Sequence, residues 1–310
     1  MKVLFYGTPD FALPTLEALL IEHEVVAVVT QPDRPAGRGQ KLNPPPVKVR
    51  AERAGVPVLQ PRRLRDSEWP DRLRAFAPEV GVVVAFGQIL PPTVLEVPGR
   101  GSINVHASLL PRYRGAAPVG WALIRGESET GLTTFLMNEG MDTGPILLQE
   151  RVLIDPEETA GDLASRLSRL GADLLSRTLA ELDRLIPIPQ RNEDATLAPR
   201  LKKEDGTLDW REPAHALVNR IRGCTPWPGA VSGTPAGRLL IRRARALAEP
   251  SGMAPGTLVQ SRGGALAVAT GEGLLLPREV QPESRRAMSW EEFLRGGRLT
   301  AGARLGGPTA

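Results

Sequence analysis

Asn104 and His106 stand two residues apart in the run GSINVHASLL, and Asp142 follows in the glycine-rich stretch EGMDTGP. If 101–105 is a strand, a period of two puts both side chains on one face, near its C-terminal end. An amide can donate to an oxygen that turns negative during acyl transfer. An imidazole exchanges protons near neutrality. A carboxylate can orient that ring and stabilise its charged form. No serine or cysteine is placed as a nucleophile: Ser108 leads into a proline turn and Cys224 lies in a distant segment. The set therefore favours direct transfer to an incoming amine over a covalent acyl-enzyme. Each member also has a structural alternative: Asn104 as a turn amide, Asp142 as a cap, His106 as a packed ring. His23, between two glutamates, and His215, on a helical stretch, read as structural or solvated.

The elements that must position this set are legible upstream. Residues 2–6, 24–30 and 80–86 are short, Val-rich apolar runs, and a helical pattern runs through Leu13, Leu16, Leu19 and Leu20. Continuous apolar strands separated by helices predict an α/β domain, Rossmann-like and doubly wound, with a mostly parallel sheet. Residues 131–137 and 146–153 read as later strands, close enough in sequence to pair as a hairpin. The first turn continues TPDF, without GxGxxG, and no GxxxxGK[ST] occurs. A ligand should still sit outside the carboxyl ends of the strands. Residues 160–184 carry leucines at helical spacing, and Thr159 with Asp162 fits a capping box. The Pro-rich, charged tract 187–206 reads as a linker between a domain at 1–186 and another at 207–310. Short β-like runs over 229–282, broken by Gly and Pro, predict a small barrel or open sheet, here OB-like. A last short helix starts at Ser289.

Composition excludes several classes. The chain of 310 residues is 41% hydrophobic and 24% charged, enough for packed cores. No run approaches the ~18 apolar residues of a membrane span, and the start lacks a secretory h-region. One cysteine and no Cys/His cluster argue against an internal disulfide or a zinc site. The expectation is a cytoplasmic, metal-free monomer with no membrane partner. Residues 200–310 hold 17 basic against 10 acidic side chains, which hints at a polyanionic partner.

The stretch NVHASLLPRYRGAAP (104–118), with MDTGPIL (141–147), resembles the folate-dependent formyltransferases. GTPDFALPTLEAL, TQPDRPAGRGQKLNPPPVK, VVVAFGQILP, EDGTLDW and RGCTPWPGA extend the resemblance almost end to end, and the RPAGRG loop and C-terminal segments narrow it to the tRNA-modifying branch. The resemblance implies the formyltransferase fold. It also implies transfer of the formyl group of 10-formyltetrahydrofolate to the α-amino group of methionine on initiator tRNA, by direct attack through a tetrahedral intermediate. Asn104, His106 and Asp142 match the catalytic positions. The donor would lie along Phe86, Gly87, Gln88, Ile89 and Leu90, the turn Ser108, Leu109, Leu110 and Pro111, and the loop before Asp142. An apolar ring of Phe86, Ile89 and Leu90 would suit a flat pterin.

Two basic regions remain. Arg34, Arg38 and Lys41 sit in a Pro/Gly-rich loop that leaves the second strand at the site's edge, and the resemblance supports a role at the acceptor end of a tRNA, with Arg38 foremost. In the C-terminal region GRLLIRRARAL places Arg238, Arg242, Arg243 and Arg245 on a strand, either as an exposed face or as a phosphate-tracking surface. Trp210 and Trp227 are expected to pack a domain interface rather than stack on bases. Three alternatives stay open: a formyltransferase acting on a small amine, such as a nucleotide-linked amino sugar or glycinamide ribonucleotide; an RNA-binding module with an inactive α/β domain; and a hydrolase releasing formate.

Overall fold

The computed structural model describes residues 1–36, 41–234, 237–297 and 299–306. The chain forms two compact units. The first comprises 1–115, 129–153 and 164–197; the second takes in 116–128, 154–163 and 198–310.

In the first unit, β1 (Lys2–Gly7), β2 (Glu24–Val29), β5 (Val58–Leu59), β6 (Val80–Val84), β7 (Ser102–His106), β8 (Glu129–Leu136) and β9 (Ile146–Leu153) form one sheet; β3 (Arg34–Ala36) and β4 (Lys41–Asn43) form a separate hairpin. The strand order is β5-β2-β1-β6-β7-β8-β9. The five strands β5 to β7 are parallel, and β8 and β9 are antiparallel additions. Taken in chain order, the parallel set reads third-second-first-fourth-fifth, so the connections reverse direction between β1 and β6. That reversal opens a crevice at the carboxyl ends of the strands. The doubly wound expectation is met, with an antiparallel edge.

Strand β6 is buried at every residue, as a strand covered on both faces must be. Helices α1 (Leu13–Glu22), α2 (Pro46–Arg53), α3 (Trp69–Arg74) and α4 (Pro92–Leu95) follow the parallel strands. Tyr6, Trp69, Leu73, Val83, Phe86 and Leu90 belong to one core cluster. The long helix predicted at 160–184 is α6 (Ala160–Glu181), which follows α5 (Pro118–Ile124). Thr159 and Asp162 close their capping box: the Thr159 N–H donates to Asp162 Oδ2 at 3.1 Å, and the Asp162 N–H donates to Thr159 Oγ1 at 3.3 Å. At Gly171 a Cβ would stand 3.1 Å from Val105 and 3.5 Å from Leu132. The absent side chain lets α6 cover the face to which Val105 points, leaving Asn104 and His106 on the other.

The second unit is built on an antiparallel sheet of β10 (Ala230–Thr234), β11 (Gly237–Leu247), β12 (Leu258–Gln260), β13 (Leu266–Ala269), β14 (Leu274–Pro282) and β15 (Met288–Ser289). Its order is β10-β11-β14-β13-β12, with β15 on β14. Helices α7 (Ala214–Cys224) and α8 (Trp290–Gly297) belong to this unit. Its core holds Trp210, Leu217, Ile221, Ile241, Leu275 and Trp290. This curled antiparallel sheet answers the OB-like expectation. Among the described residues, no helix is long and apolar enough to cross a membrane.

Candidate active site

Strand β7 pairs with β8 so that Asn104 lies opposite Phe135 and His106 opposite Thr133. Both side chains project from one face at the carboxyl end of the strand, as the two-residue spacing predicts. The Asn104 amide touches only the Met137 sulfur, at 4.0 Å, among the described residues. It is half-buried and free to donate elsewhere. His106 is buried, and its Nε2 lies 2.9 Å from the Tyr113 carbonyl oxygen. A carbonyl only accepts, so this hydrogen bond places the ring proton on Nε2. In the neutral ring Nδ1 carries the lone pair; it faces Asp142 Oδ2 at 3.7 Å. The ring is thus flanked on both sides, by the Tyr113 carbonyl at Nε2 and by the Asp142 carboxylate at Nδ1.

Asp142 adopts φ +54°, a left-handed conformation that Asp tolerates better than most residues. Its Oδ2 accepts from the Gly115 N–H at 2.7 Å. The loop around it closes on itself: Asn138 Oδ1 accepts from the Gly140 N–H and from the Thr143 hydroxyl. A Cβ at Gly144 would overlap the Leu136 carbonyl, so the glycines of EGMDTGP are demanded by the turn's tightness.

The turn at 108–111 serves first as a brace. Ser108 Oγ donates to the Arg112 carbonyl at 2.6 Å, and the Ser108 carbonyl accepts from Thr133 Oγ1 at 2.7 Å. The Leu110 N–H donates to Thr133 Oγ1, and the Leu110 carbonyl accepts from Gln149 Nε2. Leu109 lies against Gly131, where any Cβ would collide with it. Pro111 is half-buried, and its carbonyl accepts from the Thr196 N–H at 3.3 Å. The turn fixes where Tyr113 and Gly115 meet His106 and Asp142. With its hydroxyl committed and the residue buried, Ser108 is no nucleophile. Cys224 is buried in the second unit, and burial pushes its thiol up to about 11.

The segment 86–90 leaves β6 at the β1–β6 crevice. Thr8 Oγ1 and Gln31 Nε2 donate to the Phe86 carbonyl at 2.8 and 3.3 Å. The Gln88 side chain turns inward, accepting from the Leu64 N–H and donating to the Pro61 carbonyl. The backbone N–H groups of Gly87, Gln88, Ile89 and Leu90 have no protein acceptor among the described residues. The expected apolar ring is corrected here: Phe86 and Leu90 are 2% and 3% exposed and serve the core, whereas Ile89 is 84% exposed. The segment offers free backbone donors and one exposed aliphatic side chain.

Of the basic loop, Arg34 Nη2 donates to Gln31 Oε1 at 3.1 Å. Lys48 donates to both Asp33 oxygens at 2.9 Å. Gln60 Nε2 binds Asp33 Oδ1 and the Gln31 carbonyl. Hydrogen bonds from Gln60, then from Lys48, hold the Asp33 carboxyl below its ordinary range. The Lys41 backbone pairs with Ala36 in the hairpin. Arg38 lies outside the described residues.

In the second unit the arginines divide. Arg242 Nε donates to Glu279 at 2.9 Å, and Arg243 Nη2 donates to Asp162 at 3.0 Å. Arg245 and Arg278 are exposed and carry no ion pair among the described residues. With Arg222, Arg242, Arg243 and Thr159 they line a cavity of ≈ 410 Å³. Trp210 is buried in the unit's own core, its Nε1–H donating to Ser232 Oγ at 3.1 Å. Trp227, between Pro226 and Pro228, is 52% exposed, which departs from the packing role expected of it.

Sequence reasoning missed Gln190 and Arg114. Gln190 Nε2 donates to the carbonyls of Asp142 and Gly144 at 2.9 and 2.7 Å. Arg114 binds Gln190 Oε1 through Nε and Nη2. Gln190 lies in the tract read as linker, where composition offers no signal; the RYRG motif was the one available hint for Arg114.

The chain is similar to known proteins along nearly its whole length. A family model described as formyl transferase matches residues 1–179, and one described as formyl transferase, C-terminal domain, matches 200–298. A methionyl-tRNA formyltransferase of Synechococcus sp. (strain JA-3-3Ab) is 52% identical, with 98% of each chain covered. One of Geobacter metallireducens is 49% identical over 99% of both chains. Among solved structures, the sugar 3N-formyl transferase WlaRD, determined with dTDP and 5-N-formyl-THF, shares the fold with a TM-score of 0.66 at 17% identity, covering 92% of this chain and 99% of that one. HypX from Aquifex aeolicus, in complex with tetrahydrofolic acid, aligns with a TM-score of 0.61 at 17% identity over 95% of this chain and 47% of its own.

Proposed function

The chain belongs to the formyl transferase family, among the methionyl-tRNA formyltransferases, and we propose that it moves the formyl group of 10-formyltetrahydrofolate directly to the α-amino group of methionyl initiator tRNA. The observation that carries the reading is His106 Nδ1 facing the Asp142 carboxylate at 3.7 Å, with Asn104 two residues earlier on the same face of β7 and its amide held by no stronger partner than the Met137 sulfur.

The donor folate fits the residues at hand. Its bicyclic ring needs hydrogen-bond partners along one edge and apolar contact on its faces. The free N–H groups of 87–90 and the exposed Ile89 supply both kinds, with the Ser108–Pro111 turn and the loop before Asp142 closing the site. When bound, it supplies the activated one-carbon unit.

Asn104 donates to the formyl oxygen as negative charge gathers there during amine attack. His106 Nδ1 accepts the proton that the amine releases, and can return it to the departing nitrogen. The Nε2 bond to Tyr113 holds the tautomer in which Nδ1 is the base. Asp142 Oδ2 faces the positive ring that results, so the charge forms beside a compensating one. The buried ring and tight loop limit competing attack by water.

The division of labour puts the chemistry in the first unit and RNA binding in the second; the compact units exchange the segments 116–128 and 154–163 and meet in sequence at 197/198, not at the ends of a 187–206 linker. Arg34, Arg38 and Lys41 steer the acceptor end, and the Arg242–Arg243 region, with the unpaired Arg245 and Arg278, tracks phosphates. The enzyme acts as a cytoplasmic monomer. The deciding experiment is formylation of charged initiator tRNA followed on acid gels, with free methionine and free amino sugar nucleotides as control acceptors. Formyl transfer to the small amines but not to the tRNA would overturn the acceptor assignment.

A further inference from the structure

We infer that Arg114 and Gln190 are positioning residues that clamp Asp142 into the conformation in which its carboxylate faces His106. The inference rests on the catalytic reading of His106 and Asp142. Its evidence is a continuous chain of hydrogen bonds outside the catalytic set. Arg114 is buried, 7% exposed, and makes no ion pair among the described residues. Its Nε and Nη2 donate to Gln190 Oε1 at 3.1 and 2.8 Å, and its Nη1 donates to Asn192 Oδ1 at 3.0 Å. A guanidinium only donates, so it fixes which end of the Gln190 amide is oxygen. The NH₂ end then points at two backbone carbonyls, those of Asp142 and Gly144, at 2.9 and 2.7 Å.

The cation polarises the amide, which strengthens its two outgoing donors. These grip the backbone on both sides of Thr143, where Asp142 sits at φ +54°. A strained residue persists only if its surroundings over-determine it. A buried cation bonded to neutral amides is costly, and well-packed apolar side chains would serve stability at least as well. Position reinforces the case. Tyr113, before Arg114, holds His106 Nε2, and Gly115, after it, holds Asp142 Oδ2. One tripeptide therefore reaches the catalytic pair by three routes, and the Arg114 side chain is the third.

The test compares Gln190→Ala and Gln190→Glu with the unmodified enzyme, and repeats Gln190→Ala in an Asp142→Ala background. Gln190→Ala should lower kcat by about 10- to 100-fold, with the KM for the folate donor nearly unchanged. Gln190→Glu gains an ion pair with Arg114 but aims a carboxylate oxygen at two carbonyls. It should be at least as slow as Gln190→Ala while keeping its thermal stability. In the Asp142→Ala background the same substitution should cost almost nothing further. An undiminished kcat, or an equal loss in that background, would overturn the clamp. Hydrogen–deuterium exchange across 138–145 reads the clamp without turnover. Faster exchange in Gln190→Ala supports it, and unchanged exchange overturns it even if the preparation formylates no tRNA, an outcome that would count separately against the proposed function.

Discussion

His106 Nδ1 and Asp142 Oδ2 face each other at 3.7 Å while the opposite ring nitrogen is tied to the Tyr113 carbonyl. The separation is too long for a hydrogen bond. With the ring neutral, a lone pair confronts a carboxylate; with Nδ1 protonated, the two groups carry opposite charges. In the proposed reaction the carboxylate would thus face the ring at the moment the ring carries the amine's proton. This differs from a hydrolytic triad, where the carboxylate holds the N–H that points away from the nucleophile. Here the backbone does the holding.

His106→Ala should therefore lower kcat by about 10²- to 10⁴-fold, the range for loss of a general base. Donor affinity, read by equilibrium binding of the folate, should change little, because the proposed contacts lie along 86–90. A variant with near-normal turnover would remove the ring from the proton path.

Cys224 offers a second, independent check on the direct-transfer reading. Its thiol is buried, donates to the Asp205 carbonyl at 3.5 Å, and is pushed up to about 11 by burial. Thiolate is the reactive form. The native protein should resist alkylation by iodoacetamide at pH 7.5, and become reactive as the pH nears 11 or the chain is unfolded. Cys224→Ala should leave formyl transfer intact. Rapid labelling of the folded protein accompanied by inactivation would argue for an acyl-enzyme after all.

The parallel strands and α6 were legible because their signals are local: Val-rich runs are buried on both faces, and leucines recur at helical spacing beside a Thr159–Asp162 box. Asn104 and His106 were legible as a pair because strand period fixes their common face. What failed to show was everything set by tertiary closure. Phe86 and Leu90 read as ligand-lining, but an apolar side chain beside a crevice can serve the core as easily, and these two do. Arg242 and Arg243 read as an exposed or phosphate-tracking face; their ion-pair partners, Glu279 and Asp162, are 37 and 81 residues away and gave no local signal. Gln190, in a tract whose composition resembles a linker, reaches back 48 residues to Asp142.

The stem of the basic loop carries a pH signature. Hydrogen bonds from Gln60 and then Lys48 hold the Asp33 carboxyl below its ordinary range. A lowered folded-state value means that the unfolded chain binds the proton more readily. The resulting stabilisation is present above about pH 4, the ordinary aspartate range, and fades as pH falls through the folded value. Thermal melts should show Asp33→Asn less stable than the parent at pH 7, with the gap closing at lower pH. A gap that stays constant with pH would mean that the ionised carboxylate contributes nothing there.

Charge on the proposed RNA-binding face separates two groups of arginines. Arg245 and Arg278 have no internal partner among the described residues, so each is free to displace counterions from a phosphate. Replacing either with Ala should reduce the slope of log affinity for tRNA against log salt by about one, with folate binding unchanged. Arg242 and Arg243 already spend their charge on Glu279 and Asp162. Arg242→Ala or Arg243→Ala should cost stability through the carboxylate left behind, with a smaller change in salt slope. Arg38→Ala should lower kcat/KM for tRNA without altering donor binding, in line with a guiding role for its loop. If all five variants lose the same affinity at every salt concentration, the interface is not organised around phosphate contacts, and shape or base recognition must carry the acceptor's selection.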